Sequence, residues 1–358
     1  MYTVLLDGAP LIWSPNSPAA LHLLTLLDQR PRKARTLVAL PGKPLFPLPV
    51  DIQSVQNVPA GGGRLAWEQR LLPRLAREQR ADLLHVTGEN VPLFGDVMTI
   101  LSPTAPVKAL IPGSQRGFGE RLRLALGQGG RARLRASFWP ADLPAPEGAQ
   151  QIVRLPPRVH SAFTQAAIAP DLSLPDEFVL YHGPLDESAL RSLLSAWKWA
   201  AAAIGEAVKL VILGAGTLLQ GRIAQLARNN DLGDSLEAFP LLPVESLAWL
   251  YQHCRAVFHP AQIGAWAGAL RLGLACGRPL VGLETPLADA LVGPAAYLVS
   301  GGADDSAQNR ALGAALITVI VEESVAEGLE QAARQRSAGW GAQDFQQALD
   351  SAYQALLV

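Results

Sequence analysis

The chain reads as an α/β protein of two lobes, each a doubly wound and mostly parallel sheet. Three observations lead there. At 358 residues it exceeds the usual reach of one hydrophobic core. Short apolar runs alternate with amphipathic stretches in two separate series, the pattern of repeated βα units. Between the series the chain is interrupted by Pro156-Pro157 and then by the stretch from Pro170 to Pro175, which reads as the interlobe connection. The division expected is 1–169 and 176–341, with a last helix over 342–358.

In the first series, Tyr2 to Leu6 is an apolar strand closed by Asp7-Gly8, and Ala19 to Leu27 is a helix entered through Pro18. Strands return at Thr36 to Leu40, Ile52 to Val55, Leu83 to Val86 and Val97 to Leu101. Between them, Trp67 to Glu78 has helical spacing that turns Leu71, Leu72 and Leu75 inward. Arg116 to Arg135 reads as a solvated basic helix followed by a Gly-broken loop, with an anion-facing patch as the alternative. Gly61-Gly62-Gly63-Arg64 fits either a plain turn or an acceptor loop.

The second series places strands at Phe178 to Tyr181, Leu210 to Leu213, Leu236 to Phe239, Ala256 to Phe258, Leu280 to Gly282 and Ala296 to Val299. Helices are expected at Glu187 to Ala203, Leu219 to Asn229, Val244 to Gln252, Ala265 to Ala275 and Ser306 to Val321. In such sheets ligands sit beyond the carboxyl ends of the strands.

Composition narrows the function. With 30 Lys plus Arg against 31 Asp plus Glu, the chain has no field to draw nucleic acid or an acidic membrane. No apolar run reaches the ~20 residues of a spanning helix, and no basic run precedes the apolar stretch in MYTVLLDGAPLIW, so a cytoplasmic protein is expected. Cys254 and Cys276 lie in apolar segments and read as buried free thiols. No metal-ligand spacing, nucleophile elbow or Walker loop occurs.

Several segments appear in a characteristic order: Trp67-Glu68-Gln69 with Leu72-Pro73, then Ala81 to His85, then FVLYHG from Phe178 to Gly183 and LVILGAG from Leu210 to Gly216. Pro243, Leu247 and Tyr251 follow, and the series ends with Ala275-Cys276-Gly277-Arg278-Pro279-Leu280-Val281 and Gly339-Trp340 before the final helix. Together they resemble the retaining glycosyltransferases of family 4. The resemblance implies the GT-B architecture, an acceptor-side and a donor-side Rossmann-like domain facing a cleft. It implies a nucleotide diphosphate-sugar as substrate, with no separate cofactor.

The same resemblance locates the chemistry and shows it altered. Such enzymes hold the donor with one Glu at a helix mouth and a second eight positions on; these places fall on Gly264 and Leu272. The Arg and Lys that neutralise the diphosphate fall on Pro184 and within Asp186 to Leu190. The His-Asp pair of the first lobe falls on Ser102-Pro103. No Asp or Glu occurs from His259 to Leu283, so a register shift restores neither carboxylate. The remaining cleft candidates are Gly8 at the first turn, His85 after an apolar strand, His182 with its neighbour Gly183, Gly264 itself and Arg278, with His259 and Glu68 behind them.

Two readings stay open. One is a working sugar transferase with an atypical donor site. The other, favoured because several groups that act as a unit are replaced together, is a glycosyltransferase-like protein with a degenerate site and a partner-binding or regulatory role. An oligomeric contact, homo- or heteromeric, is the partner expectation, with Trp266 as its marker.

Overall fold

In the computed structural model of this chain, every strand pairing among the described residues is parallel, as the βα alternation requires. The structure describes residues 1–56, 63–105, 118–146, 151–266, 268–301 and 304–358. Gly61-Gly62 and the Arg116 end of the basic segment lie outside them. The chain divides into two units: the first comprises Met1–His160, Ile263–Trp266 and Trp340–Val358, and the second Ser161–Gln262 with Ala267–Gly339.

The first unit holds β1 (Tyr2–Asp7), β2 (Ala34–Leu40), β3 (Gln53–Gln56), β4 (Leu83–Gly88), β5 (Met98–Pro103), β6 (Ala136–Pro140) and β7 (Ile152–Leu155), in the order β3-β2-β1-β4-β5-β6-β7. The winding reverses between β1 and β4, where Leu6 lies opposite His85. Helices α1 (Pro10–Trp13) and α2 (Pro18–Asp28) follow β1, the latter started by Pro18 and by Ser17, whose side chain accepts from the Ala20 N–H. Later come α3 (Gly63–Ala66), α4 (Leu72–Glu78) and α5 (Phe118–Arg131).

The expected helix over Trp67 to Glu78 is not uniform. Trp67–Leu71 is a π-helical turn in which Leu72 N–H reaches back to Trp67 O. Pro73 has no N–H to give and its ring crowds the carbonyl four residues back, so the ladder widens here. The widened turn directs both Trp67 and Glu68 inward, where Trp67 joins Leu5, Leu37, Leu72, Leu75 and Leu84 in the core.

In the second unit β8 (Phe178–Tyr181), β9 (Lys209–Leu213), β10 (Leu236–Phe239), β11 (Ala256–His259), β12 (Leu280–Leu283) and β13 (Ala296–Val299) run in the order β10-β9-β8-β11-β12-β13. Its reversal lies between β8 and β11. Helices α6 (Glu187–Ile204), α7 (Thr217–Asn229), α8 (Val244–His253), α9 (Ala269–Ala275), α10 (Pro286–Val292), α11 (Asp305–Val321) and α12 (Glu323–Ser337) cover both faces. Trp197 and Leu193 of α6 and Leu316 of α11 pack over Leu210, Ile212 and Phe258. The last helix, α13 (Ala342–Leu356), contributes Phe345, Leu349 and Tyr353 to the first unit, and Tyr2 Oη donates to Asp350 at 2.6 Å.

Three departures from the sequence reading have local causes. Strands β6 and β7 were not anticipated: β7 is the edge strand and only partly buried, while β6, paired on both sides, follows directly on the segment read as a Gly-broken loop. Helices α10 and α12 also emerge: Thr285 caps the first over Pro286, and the second is mostly polar. The helix expected from Ala265 starts instead at Ala269, because Ile263–Trp266 is drawn into the packing of the first unit.

Candidate functional site

At the reversal of the first sheet, β1 ends on Asp7, a buried carboxylate whose Oδ1 accepts from Ala9 N and Trp67 Nε1, both at 3.0 Å. Burial pushes its pKa up to about 6, against the lowering effect of the two hydrogen bonds. Gly8 follows, and its N–H donates to Ala39 O at 2.7 Å. That donor is thereby committed to the sheet margin rather than offered to an anion.

Beside Asp7 the π-helical turn delivers Glu68. Its carboxylate accepts from Arg123 at 2.6 Å and from Asn90 Nδ2, while Arg123 also binds Glu120. Burial is the main cause that raises the Glu68 pKa to about 7; the Arg123 charge opposes it and the nearby Asp7 adds to it. The side chains of Glu68 and Arg123 are each only 12% exposed, so this ion pair is a closed support for the π turn. Glu68, a cleft candidate from the sequence, is thus spent on partners within the first unit. Asp7, Asn90 and Arg123 were not singled out, although an acid at the end of the first buried strand was the available signal.

His85 is fully buried. Its Nδ1 is 2.6 Å from Tyr353 Oη and its Nε2 is 2.8 Å from Ser102 Oγ, with Phe138 and Tyr353 edge-on to the ring. Burial lowers its pKa to about 3. Both nitrogens being engaged, His85 is a packed, neutral hydrogen-bonding hub. Ser102, standing where the resemblance expects a histidine, is one of its partners.

The second sheet reverses between β8 and β11, and each strand leads into a histidine. His182 Nδ1 meets Tyr251 Oη at 2.9 Å, and His259 closes β11. His182 Nε2 and His259 Nδ1 are buried without a hydrogen-bond partner. Burial first, and for His182 the neighbouring His259, bring the two pKa values down to about 3 and about 4. Neutral at pH 7, these rings supply no charge to a diphosphate. Gly183 sits against the Tyr181 ring, and Tyr181 Oη donates to Pro184 O, so Pro184 is folded into the strand end.

Helix α6 begins immediately afterwards, and a helix N-terminus is where a phosphate would be received. Here Asp186 occupies it, accepting from Ser188 N and Ala189 N at 3.1 Å each. Glu187 is tied to Arg191 and Arg222. Arg278 hydrogen-bonds Gln252 O and pairs with Glu330 at 3.5 Å, and Lys198 pairs with exposed Asp231 at 3.6 Å. These cations have partners within their own unit.

Gly264 is the most tightly enclosed of the candidate positions. A Cβ built on Gly264 would stand 2.0 Å from Thr104 O, with Thr104 C and Ala105 C next nearest. Two residues on, Trp266 is only 3% exposed: its Nε1 donates to Phe138 O at 2.9 Å, its ring stacks on His22 at 4.2 Å, and Phe345 meets it edge-on. The expectation that Trp266 marks a partner contact is corrected, since the indole is core. Leu272, in the place of the second carboxylate, is 4% exposed within α9.

Thus Gly8, His85 and Gly264 belong to the first unit, and His182, Gly183 and Arg278 to the second. Among the described residues no three His, Cys, Asp or Glu side chains are grouped to hold a metal, both cysteines are free, and no helix is long and apolar enough to cross a membrane.

The fold is that of known GT-B proteins. The chain is similar to a sucrose-phosphate synthase from Thermosynechococcus elongatus (TM-score 0.69, 15% identity, 99% of both chains). It is likewise similar to WaaG, a glycosyltransferase involved in lipopolysaccharide biosynthesis (TM-score 0.70, 12% identity, 98% of this chain and 99% of that one). A third likeness is to Anabaena HepE in complex with UDP and glucose (TM-score 0.66, 13% identity, 99% and 100%). No protein-family model matches the chain, and no curated protein matches it significantly.

Proposed function

We propose that this chain is a glycosyltransferase-like protein whose nucleotide-sugar site is degenerate, and that it acts without catalysis by binding a partner or regulating a true transferase. The observation that supports this most is at Gly264: the position that should carry a carboxylate has its side-chain space filled by the Thr104 carbonyl, 2.0 Å from any Cβ. Supporting it are buried Leu272, Pro184 with its carbonyl engaged, and Asp186 seated on the helix end that would face a phosphate. Ribose hydroxyls left without an acceptor would each cost about 1–3 kcal/mol. The reading includes a cytoplasmic location and an oligomeric contact, homo- or heteromeric.

The alternative is an active transferase with an atypical donor site, favoured by the unpartnered His182 Nε2 and His259 Nδ1 at the reversal of the second sheet. Because HepE takes UDP and glucose, calorimetric titration should begin with UDP and UDP-glucose and extend to the guanosine and adenosine counterparts. The proposal expects millimolar or absent binding throughout. Micromolar binding of any one donor would overturn it and name the donor.

A further inference from the structure

The first unit carries a cavity of about 190 Å³ at the amino-terminal ends of β4 and β5, the opposite end of the sheet from its reversal point. Pro73, Leu84, Val91 and Met98 provide apolar wall, and Asp96 and Arg133 bring one charge of each sign. The connection from β4 to β5 roofs it, and that roof is held in place. Leu93 N donates to Gln69 Oε1 at 2.8 Å, and Arg133 donates to Leu93 O at 2.6 Å and to Gly95 O at 3.1 Å. A Cβ on Gly130 would come within 2.4 Å of Val91 O, so glycine permits the close approach of α5 to the roof.

The lining specifies the ligand. Arg133 spends its bonds within the protein on neutral carbonyls, which leaves its charge uncompensated and some of its five N–H donors unspent. Asp96 is exposed and faces the same cavity. A carboxylate and a guanidinium lining one cavity with apolar wall beside them complement a zwitterion with a hydrocarbon side chain. A cavity of about 150 Å³ holds the six carbons of benzene, so one of about 190 Å³ takes roughly eight non-hydrogen atoms, close to the size of leucine. We propose that it binds a free α-amino acid of leucine's size, with the ammonium on Asp96, the carboxylate on Arg133 and the side chain against Pro73, Leu84, Val91 and Met98. The site goes beyond the function proposed above and does not depend on it.

The test is titration of the full chain with L-leucine by calorimetry and ligand-observed NMR, alongside isopentylamine, 4-methylpentanoate and L-aspartate. L-leucine is expected to bind, and each analogue lacking one charge or the aliphatic group to bind at least about tenfold more weakly, the worth of one charge-assisted hydrogen bond. Asp96→Asn, which removes an exposed charge and no roof bond, should weaken L-leucine about tenfold and leave the melting temperature unchanged. Absence of L-leucine binding, equal binding of isopentylamine, or unchanged affinity in Asp96→Asn would each overturn the proposal. A negative UDP titration leaves it standing, so the two readings fail separately.

Discussion

Because the Thr104 carbonyl fills the side-chain space at Gly264, adding even a methyl group there must damage the protein. The Cβ of Gly264→Ala would meet Thr104 O at 2.0 Å, Thr104 C at 2.4 Å and Ala105 C at 2.8 Å, all backbone atoms that cannot rotate aside. Ordinary contact begins near 3.4 Å, so one backbone segment must move by roughly 1.4 Å. Overpacking in a close-packed region costs about 1–3 kcal/mol, and a clash with backbone belongs at the top of that range. At about 2–4 °C per kcal/mol for a unit of this size, the transition should fall by about 6–12 °C. Differential scanning calorimetry of Gly264→Ala against the parent reads this directly. Gly264→Glu, which places a carboxylate there, should be destabilised at least as much and gain no affinity for UDP. A Gly264→Ala transition unchanged from the parent, or UDP binding by Gly264→Glu, would refute the argument and reopen the donor site.

Trp266→Ala should cost about 3–5 kcal/mol in chemical denaturation, the range for a buried aromatic, and Trp266→Phe less, because the ring against His22 survives while Phe138 O loses its donor. A near-neutral Trp266→Ala would return this residue to the role of partner contact. Acid should act in two stages. Buried His85, His182 and His259, with pKa values near 3, 3 and 4, take up protons on unfolding once the pH falls below about 6.5, which removes stability. Folded Asp7 and Glu68, raised to about 6 and about 7, already hold protons that their unfolded forms lack above pH 4.5, which partly offsets that loss. Denaturation free energy should therefore peak between about pH 6 and 7, fall by roughly 1.4 kcal/mol per unit toward pH 4.5, and drop more steeply below it. A profile flat from pH 7 to 4 would contradict the neutral burial of these rings.

The architecture was legible because it rests on local periodicity. Runs such as Tyr2–Asp7 and Lys209–Leu213 are covered on both faces and so read as nearly unbroken apolar segments, and the prolines and small polar residues between them mark the turns. Strand β7 escaped notice because an edge strand joins its sheet through backbone hydrogen bonds, which leave little trace in side-chain order. The π turn at Trp67–Leu71 escaped for a similar reason, a one-residue widening that shifts no residue type.

From residue identities alone came the absence of acid between His259 and Leu283 and the proline at 184. Tertiary structure decided what surrounds the candidate positions: Thr104 O stands where a side chain at 264 would begin, Trp266 is packed on His22, and His85 is engaged by Ser102 and Tyr353 from two distant segments. Each of these depends on which atoms from remote parts of the chain come within a few ångströms. Side-chain pattern along one strand or helix records burial, but it does not record which neighbour does the burying.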